Sequence, residues 1–137
     1  MKIYQHKVQY YETDRMGVTH HSNYIRWMEE ARMDFLTQIG YPYEQFEAEG
    51  LMSPVTSVTC KYQSPTTFGD EVCIHVKVKA FNGVRLILGY DITKRDTDTI
   101  VCTGTSEHCF LTQDYKFIRL KAVYPDLTAR LMACIEA

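Results

Sequence analysis

The stretch that decides the fold is YETDRMGVTHHSNYIRWMEEARMDFL, residues 11–36. It has two parts. The first, 12–22, is polar, contains Gly17 and the adjacent His20 and His21, and places one acid, Asp14, close to a turn. The second, 23–38, reads as a long amphipathic helix. Tyr24, Met28, Ala31, Phe35 and Ile39 recur at helical spacing, and Trp27 and Leu36 widen the stripe. Arg26, Glu29, Glu30, Arg32 and Asp34 take much of the other surface. Ser22 or Asn23 is expected as N-cap, with no glutamate three residues on to complete a capping box. Gly40 and Pro42 stop the helix. At ~1.5 Å per residue it spans roughly 24 Å, enough to cross a small sheet. An acid just before a helix start points to a site, because free N–H groups there attract anions and developing negative charge.

Outward from this stretch the chain is mostly β-like. Residues 2–10 read as a first strand with Tyr4, His6, Val8 and Tyr10 on one side. After the long helix, 43–48 fits a short second helix and 52–63 a strand. SPTTFGD (64–70) is a turn. The clearest strand is 71–81, where Val72, Ile74, Val76, Val78 and Ala80 alternate with polar neighbours. Asn82-Gly83 predicts a type I′ hairpin, which needs positive φ at both central residues. Val84, Leu86, Leu88, Tyr90 and Ile92 alternate in the returning strand, RDTDT (95–99) turns, and 100–111 is a long last strand. Pro125 opens a C-terminal helix to about 135 with Leu127, Leu131 and Ile135 in line. The order β-α-β-β-β-β segregates helix from sheet, an α+β pattern in one domain over 1–137.

Composition narrows the function classes. With 45% hydrophobic and 23% charged residues the chain is globular. A net charge of −2 and no basic run give no case for nucleic acid. The ten tyrosines and six phenylalanines are spread through the strands, which favours core and groove lining over base stacking. No run approaches the ~18 apolar residues of a membrane span. MKIYQHKVQY lacks the apolar region of a signal peptide, so a cytoplasmic location is expected. The five cysteines form no CxxC pair and read as free, inert thiols.

The run ETDRMGVTHHSNYIRWMEEAR (12–32), with acid, glycine, Asn-Tyr, Trp and Glu-x-Ala-Arg in that order, resembles the hotdog-fold acyl-CoA thioesterases of the 4-hydroxybenzoyl-CoA thioesterase family. Ser64-Pro65 followed by Phe68-Gly69-Asp70 is a second, weaker match. The resemblance covers roughly residues 3–120. It implies a long central helix wrapped by a curved five-stranded antiparallel sheet. The implied activity is hydrolysis of a thioester to a free carboxylic acid and CoA, with CoA part of the substrate and no further cofactor. It also implies a homodimer or a tetramer of dimers with sites at the subunit interface.

The family's catalytic acid falls on Asp14, and its carbonyl-polarising backbone amide on His21. The chemistry fits both: Asp14 can deprotonate water or attack the carbonyl itself, and a helix N-terminus supplies a donor to the oxyanion. Gly17 is expected to allow a tight turn and close approach of the thioester. His20, Ser22, Asn23 and Tyr24 are the expected substrate contacts. His20 stands where the family commonly has tyrosine, just before the His21 amide, and Ser22 where it commonly has proline or alanine, which bears on the acyl pocket. A metal site on the two histidines lacks a completing set of ligands, so no metal is expected. Lys61, Arg85, Lys94 and Arg95 are candidates for the CoA phosphates. A non-catalytic acyl-CoA or acyl-carrier binding module is the alternative. The Asp-x-Asn-Pro-x-x-His pattern of hotdog hydratases does not occur.

Overall fold

The computed structural model describes residues 2–135. In chain order these form β1 (Tyr4–Lys7), a 3-10 turn (Tyr10–Glu12), α1 (Ser22–Gln38), α2 (Tyr43–Ala48), β2 (Val55–Tyr62), β3 (Glu71–Phe81), β4 (Leu86–Lys94), β5 (Ile100–His108), α3 (Leu120–Val123) and α4 (Pro125–Ala133). The five strands make one antiparallel sheet in the order β1-β3-β4-β5-β2. The sheet curls around α1, which is the hotdog arrangement.

The apolar stripe of α1 is the centre of the core. Tyr24, Trp27, Met28, Ala31, Phe35 and Leu36 are all buried. They meet the inward residues of the sheet, among them Val72, Ile74, Leu88 and Ile92. Leu120, Leu127 and Leu131 bring the C-terminal helices onto the same core. Pro125 stands at the start of α4, where a missing N–H is harmless. Ile135 does not follow Leu127 and Leu131 inside; it lies beyond α4 in a bridge with Val78.

Four local expectations change. The first strand stops at Lys7, and the chain then enters the 3-10 turn, leaving Tyr10 exposed rather than in line with Val8. In β3 a bulge between Val78 and Ala80 shifts the alternation, so Phe81 is buried and Ala80 is not. Asn82-Gly83 is not a type I′ turn. Gly83 has φ +89 while Asn82 is not among the positive-φ residues. The Asn82 side chain instead accepts the Val84 and Arg85 amides at 2.9 and 2.7 Å, an Asx turn that opens a four-residue loop. The last strand ends at His108, with Leu111 held only by bridges to Met52 and Phe117.

β2 differs from the other long strands. It is a sheet edge, and Val55, Val58 and Tyr62 are each more than two-fifths exposed. α1 and β2 come close at Met28, whose Sδ lies 3.9 Å from Cys60 Sγ. Gly104 makes this approach possible. A Cβ there would stand 2.5 Å from both Met28 Cε and the Thr59 carbonyl oxygen.

Gly104→Val is therefore expected to destabilise the fold by about 1–3 kcal/mol in urea titration. Gly89→Ala, where only the flexible end of Lys79 must move, is the control and should cost less.

Candidate active site

Glu12 assembles the site. It is 5% exposed, and its carboxylate is a hub. Oε1 accepts the Gln9 amide at 2.8 Å and lies 2.8 Å from His6 Nε2. Oε2 accepts Trp27 Nε1–H at 2.7 Å. Burial alone raises the Glu12 pKa, but the Gln9, His6 and Trp27 donors outweigh it and leave the value lowered. The Glu12 carbonyl accepts the Asn23 side-chain amide at 2.9 Å and the His20 N–H at 2.8 Å. One residue thus ties β1, the polar loop and the start of α1 together.

Asp14 sits two residues further on, in a turn closed at both ends. Its N–H donates to the Val18 carbonyl at 2.8 Å, and its own carbonyl accepts the Gly17 N–H at 3.0 Å. Gly17 has φ +78, so the turn requires glycine for its backbone. A Cβ at Gly17 would meet no protein atom within 4 Å, so packing within the chain does not require a glycine here. Asp14 Oδ1 accepts the Met16 amide at 2.8 Å. Among the described residues no donor reaches Oδ2. The carboxylate is half-buried, oriented by one oxygen and open at the other.

His21 is the N-cap of α1, in helical conformation. This replaces Ser22 or Asn23, both of which lie inside the first turn. The His20 ring does the capping work: its Nδ1 accepts the Ser22 N–H at 3.3 Å and lies 2.8 Å from Ser22 Oγ. The His20 ring also stacks on His21 at 4.3 Å. Among the described residues the His21 N–H has no acceptor.

Asp14, His21 and Tyr24 line one groove of about 540 Å³, together with Tyr62, Ser64 and Pro65. Gly17, His20, Ser22 and Asn23 are not part of that lining. Gly17 shapes the turn, His20 and Ser22 cap the helix, and Asn23 is buried beneath the loop. The far wall is tied by Thr66, wholly buried, whose hydroxyl lies 2.6 Å from Thr19 Oγ1 and 3.1 Å from the Tyr24 hydroxyl. This is what the Ser64-Pro65 segment contributes to the site. Among the described residues no three His, Cys, Asp or Glu side chains converge to hold a metal ion. Of the basic candidates, Arg85 pairs with Glu107 and Arg95 with Glu71.

A second polar cluster went unread in the sequence. Arg32 Nη1 is 2.8 Å from His108 Nδ1, His108 Nε2 is 2.7 Å from Ser106 Oγ, and Ser106 Oγ is 2.7 Å from the Tyr90 hydroxyl. Burial first, and the Arg32 charge second, push the His108 imidazole down to about 4. Glu30, by contrast, is exposed.

The thioesterase-like superfamily matches residues 8–131. YneP of Bacillus subtilis, provisionally named an acyl-CoA thioesterase, is 30% identical over 120 residues, covering 88% of this chain and 87% of YneP. The 1,4-dihydroxy-2-naphthoyl-CoA hydrolase of Thermosynechococcus vestitus is 27% identical, covering 80% and 75% of the two chains. Among solved structures, a DHNA-CoA thioesterase from Staphylococcus aureus superposes with a TM-score of 0.91 at 30% identity, over 96% of this chain and 88% of that one.

Two stability predictions follow from the buried hubs. Glu12→Ala strands the Trp27 and Gln9 donors and is expected to cost about 2–3 kcal/mol. A lowered carboxyl stabilises the fold above its ordinary value of 4.5 and loses that contribution as pH falls through the lower folded value. His108 acts at higher pH. Its folded value lies below the unfolded 6.5, so the unfolded chain binds the extra proton between 6.5 and about 4. Stability should be full above that window and fall by up to about 3 kcal/mol across it. Urea titrations at stepped pH should show this slope, and His108→Phe should flatten it while Glu12→Ala leaves it.

The family match spans nine-tenths of the sequence and the Staphylococcus aureus structure shares the fold: this chain belongs to the thioesterase-like superfamily and is a thioesterase of the hotdog fold.

Proposed function

We propose that this chain hydrolyses an acyl-CoA thioester to the free acid and CoA in the Asp14–His21–Tyr24 groove. The observation that carries the reading is the pairing of an oriented carboxylate, open at Oδ2, with an unengaged N–H at the start of α1 on one groove. The relatives named for CoA thioesters support the substrate class. Asp14 acts as general base on water or as nucleophile on the carbonyl carbon. In the first route the carboxylate takes a proton from water as the oxygen attacks. In the second a mixed anhydride forms and water then cleaves it. In both, the thioester oxygen gains negative charge, and the His21 N–H together with the α1 dipole stabilises it. The CoA thiolate leaves as a good leaving group and needs no acid. CoA is substrate, and no further cofactor enters either route.

The edge strand supports a paired assembly. β2 exposes Val55, Val58 and Tyr62 along an unpaired rim, and such an edge is commonly covered by a second chain. The groove reaches that rim at Tyr62, so a homodimer, alone or as a tetramer of dimers, would place the site at its interface.

Asp14→Asn and Asp14→Ala should each lower kcat by about 10²–10⁴ in a thiol-release assay over a panel of acyl-CoAs, with the fold unchanged by circular dichroism. Full activity in either variant removes Asp14 from the reaction. Light scattering at micromolar concentration should give at least a dimer; a monomer would count against the interface site.

A further inference from the structure

Beyond Met28, the gap between α1 and β2 opens again. A cavity of about 190 Å³ lies there, lined on its apolar side by Ile25, Met28, Val55 and Val58. Its polar lining is Arg32, Tyr90 and Ser106, with the exposed Glu29 also on its wall. These are the members of the buried chain described above, except His108, which stands behind Ser106.

A guanidinium has only donors, so the His108 ring accepts from Arg32 Nη1, which lies 2.8 Å from Nδ1 and 3.4 Å from Nε2. The Ser106 and Tyr90 hydroxyls lie 2.7 Å apart, and both belong to residues that line the cavity. Arg32 is the unbalanced member. No carboxylate of the described residues forms an ion pair with it, and its Nε–H is buried without a partner. An apolar cavity that ends in two hydroxyls and an unpaired cation is shaped for an apolar ligand with an acceptor at its tip.

We propose that Tyr90 and Ser106, with Arg32 beside them, bind an oxygen acceptor at the far end of the acyl group. The inference rests on the groove assignment above. The cavity follows the groove along the same two elements: Tyr24 and Tyr62 line the groove, Arg32 and Val58 the cavity. Tyr24 and Arg32 are two turns apart on α1, roughly 12 Å. At ~1.2 Å per chain atom that is the span of about ten atoms. Met28 stands between, and an unbranched thioether adapts to a passing chain more easily than a branched side chain does. The preferred acyl group is therefore medium-length, apolar along its body and oxygenated at its end. A hydroxyl and a carboxylate both offer an acceptor; the unpaired guanidinium favours the carboxylate.

The test compares kcat/KM for three acyl-CoAs of about ten carbons: unsubstituted, ω-hydroxy and ω-carboxy. Wild type should favour the oxygenated pair. Tyr90→Phe keeps the ring and removes a hydroxyl; it should lower kcat/KM for both oxygenated substrates about tenfold and leave the unsubstituted one unchanged. Arg32→Gln should reduce the ω-carboxy substrate more than the ω-hydroxy one. An equal fall on all three substrates, or an unchanged preference in Tyr90→Phe, overturns the proposal. If wild type cleaves none of the three, calorimetry of the free acids decides: no tighter binding of the oxygenated acids also overturns it. A preference lost in Tyr90→Phe alongside full activity in Asp14→Asn would sink the groove chemistry and leave this inference standing.

Discussion

The buried Glu12 carboxylate is the interaction the site depends on. The loop before α1 buries no apolar residue fully: Met16 is exposed and Val18 only half-buried, so burial of apolar side chains does not hold it. Glu12 supplies the missing constraint through a strand, a loop amide and the Trp27 indole at once. Trp27 is wholly buried in the core stripe of α1, so the polar loop inherits the rigidity of the hydrophobic core. An ionised carboxyl in such a place is costly unless its oxygens are engaged, and here both are.

Two residues separate Glu12 from Asp14, and their environments assign them opposite work. Both oxygens of Glu12 have partners, and the group can do no chemistry without breaking the loop. Asp14 has one oxygen held by the Met16 amide and one open. Orientation by one oxygen with the other left open is the arrangement a base or nucleophile requires. The same division appears in the histidines. The His20 ring replaces the missing side-chain cap, which leaves the backbone N–H of His21 as the donor without an acceptor.

Much of this was legible in the sequence. The period of α1, the alternation of β3 and β4 and the short α2 follow from apolar spacing, because burial against one sheet face imposes it. What the pattern missed has physical causes. Asn82-Gly83 reads as a two-residue hairpin, but an Asn side chain can accept amides itself and build a longer loop. Ala80 fits the alternation of β3, but a bulge at Lys79 hands its inward place to Phe81. Glu12 and His108 carry no periodic signal at all. Both are polar residues buried by long-range partners, up to 76 residues away for His108 with Arg32, and no local rule foresees that. Asp14 was picked out from Glu12 by its place in a family motif; their composition is nearly the same.

The chain from Arg32 to Tyr90 shows the other way a core can hold polarity. Well-packed apolar residues of the same volume would generally be as stable or more so. A network left with the unpartnered Arg32 Nε–H is less favourable still, because that hydrogen keeps its desolvation penalty. That penalty is relieved when an acceptor arrives, so the binding of an oxygenated ligand end gains what the empty fold lacks. An apolar end would leave the donor unmatched and gain only area. Discrimination of this kind rests on a stability deficit in the free protein. It explains how one face of α1 can serve the core at Trp27, the groove at Tyr24 and the cavity at Arg32 without the three demands competing for the same residue.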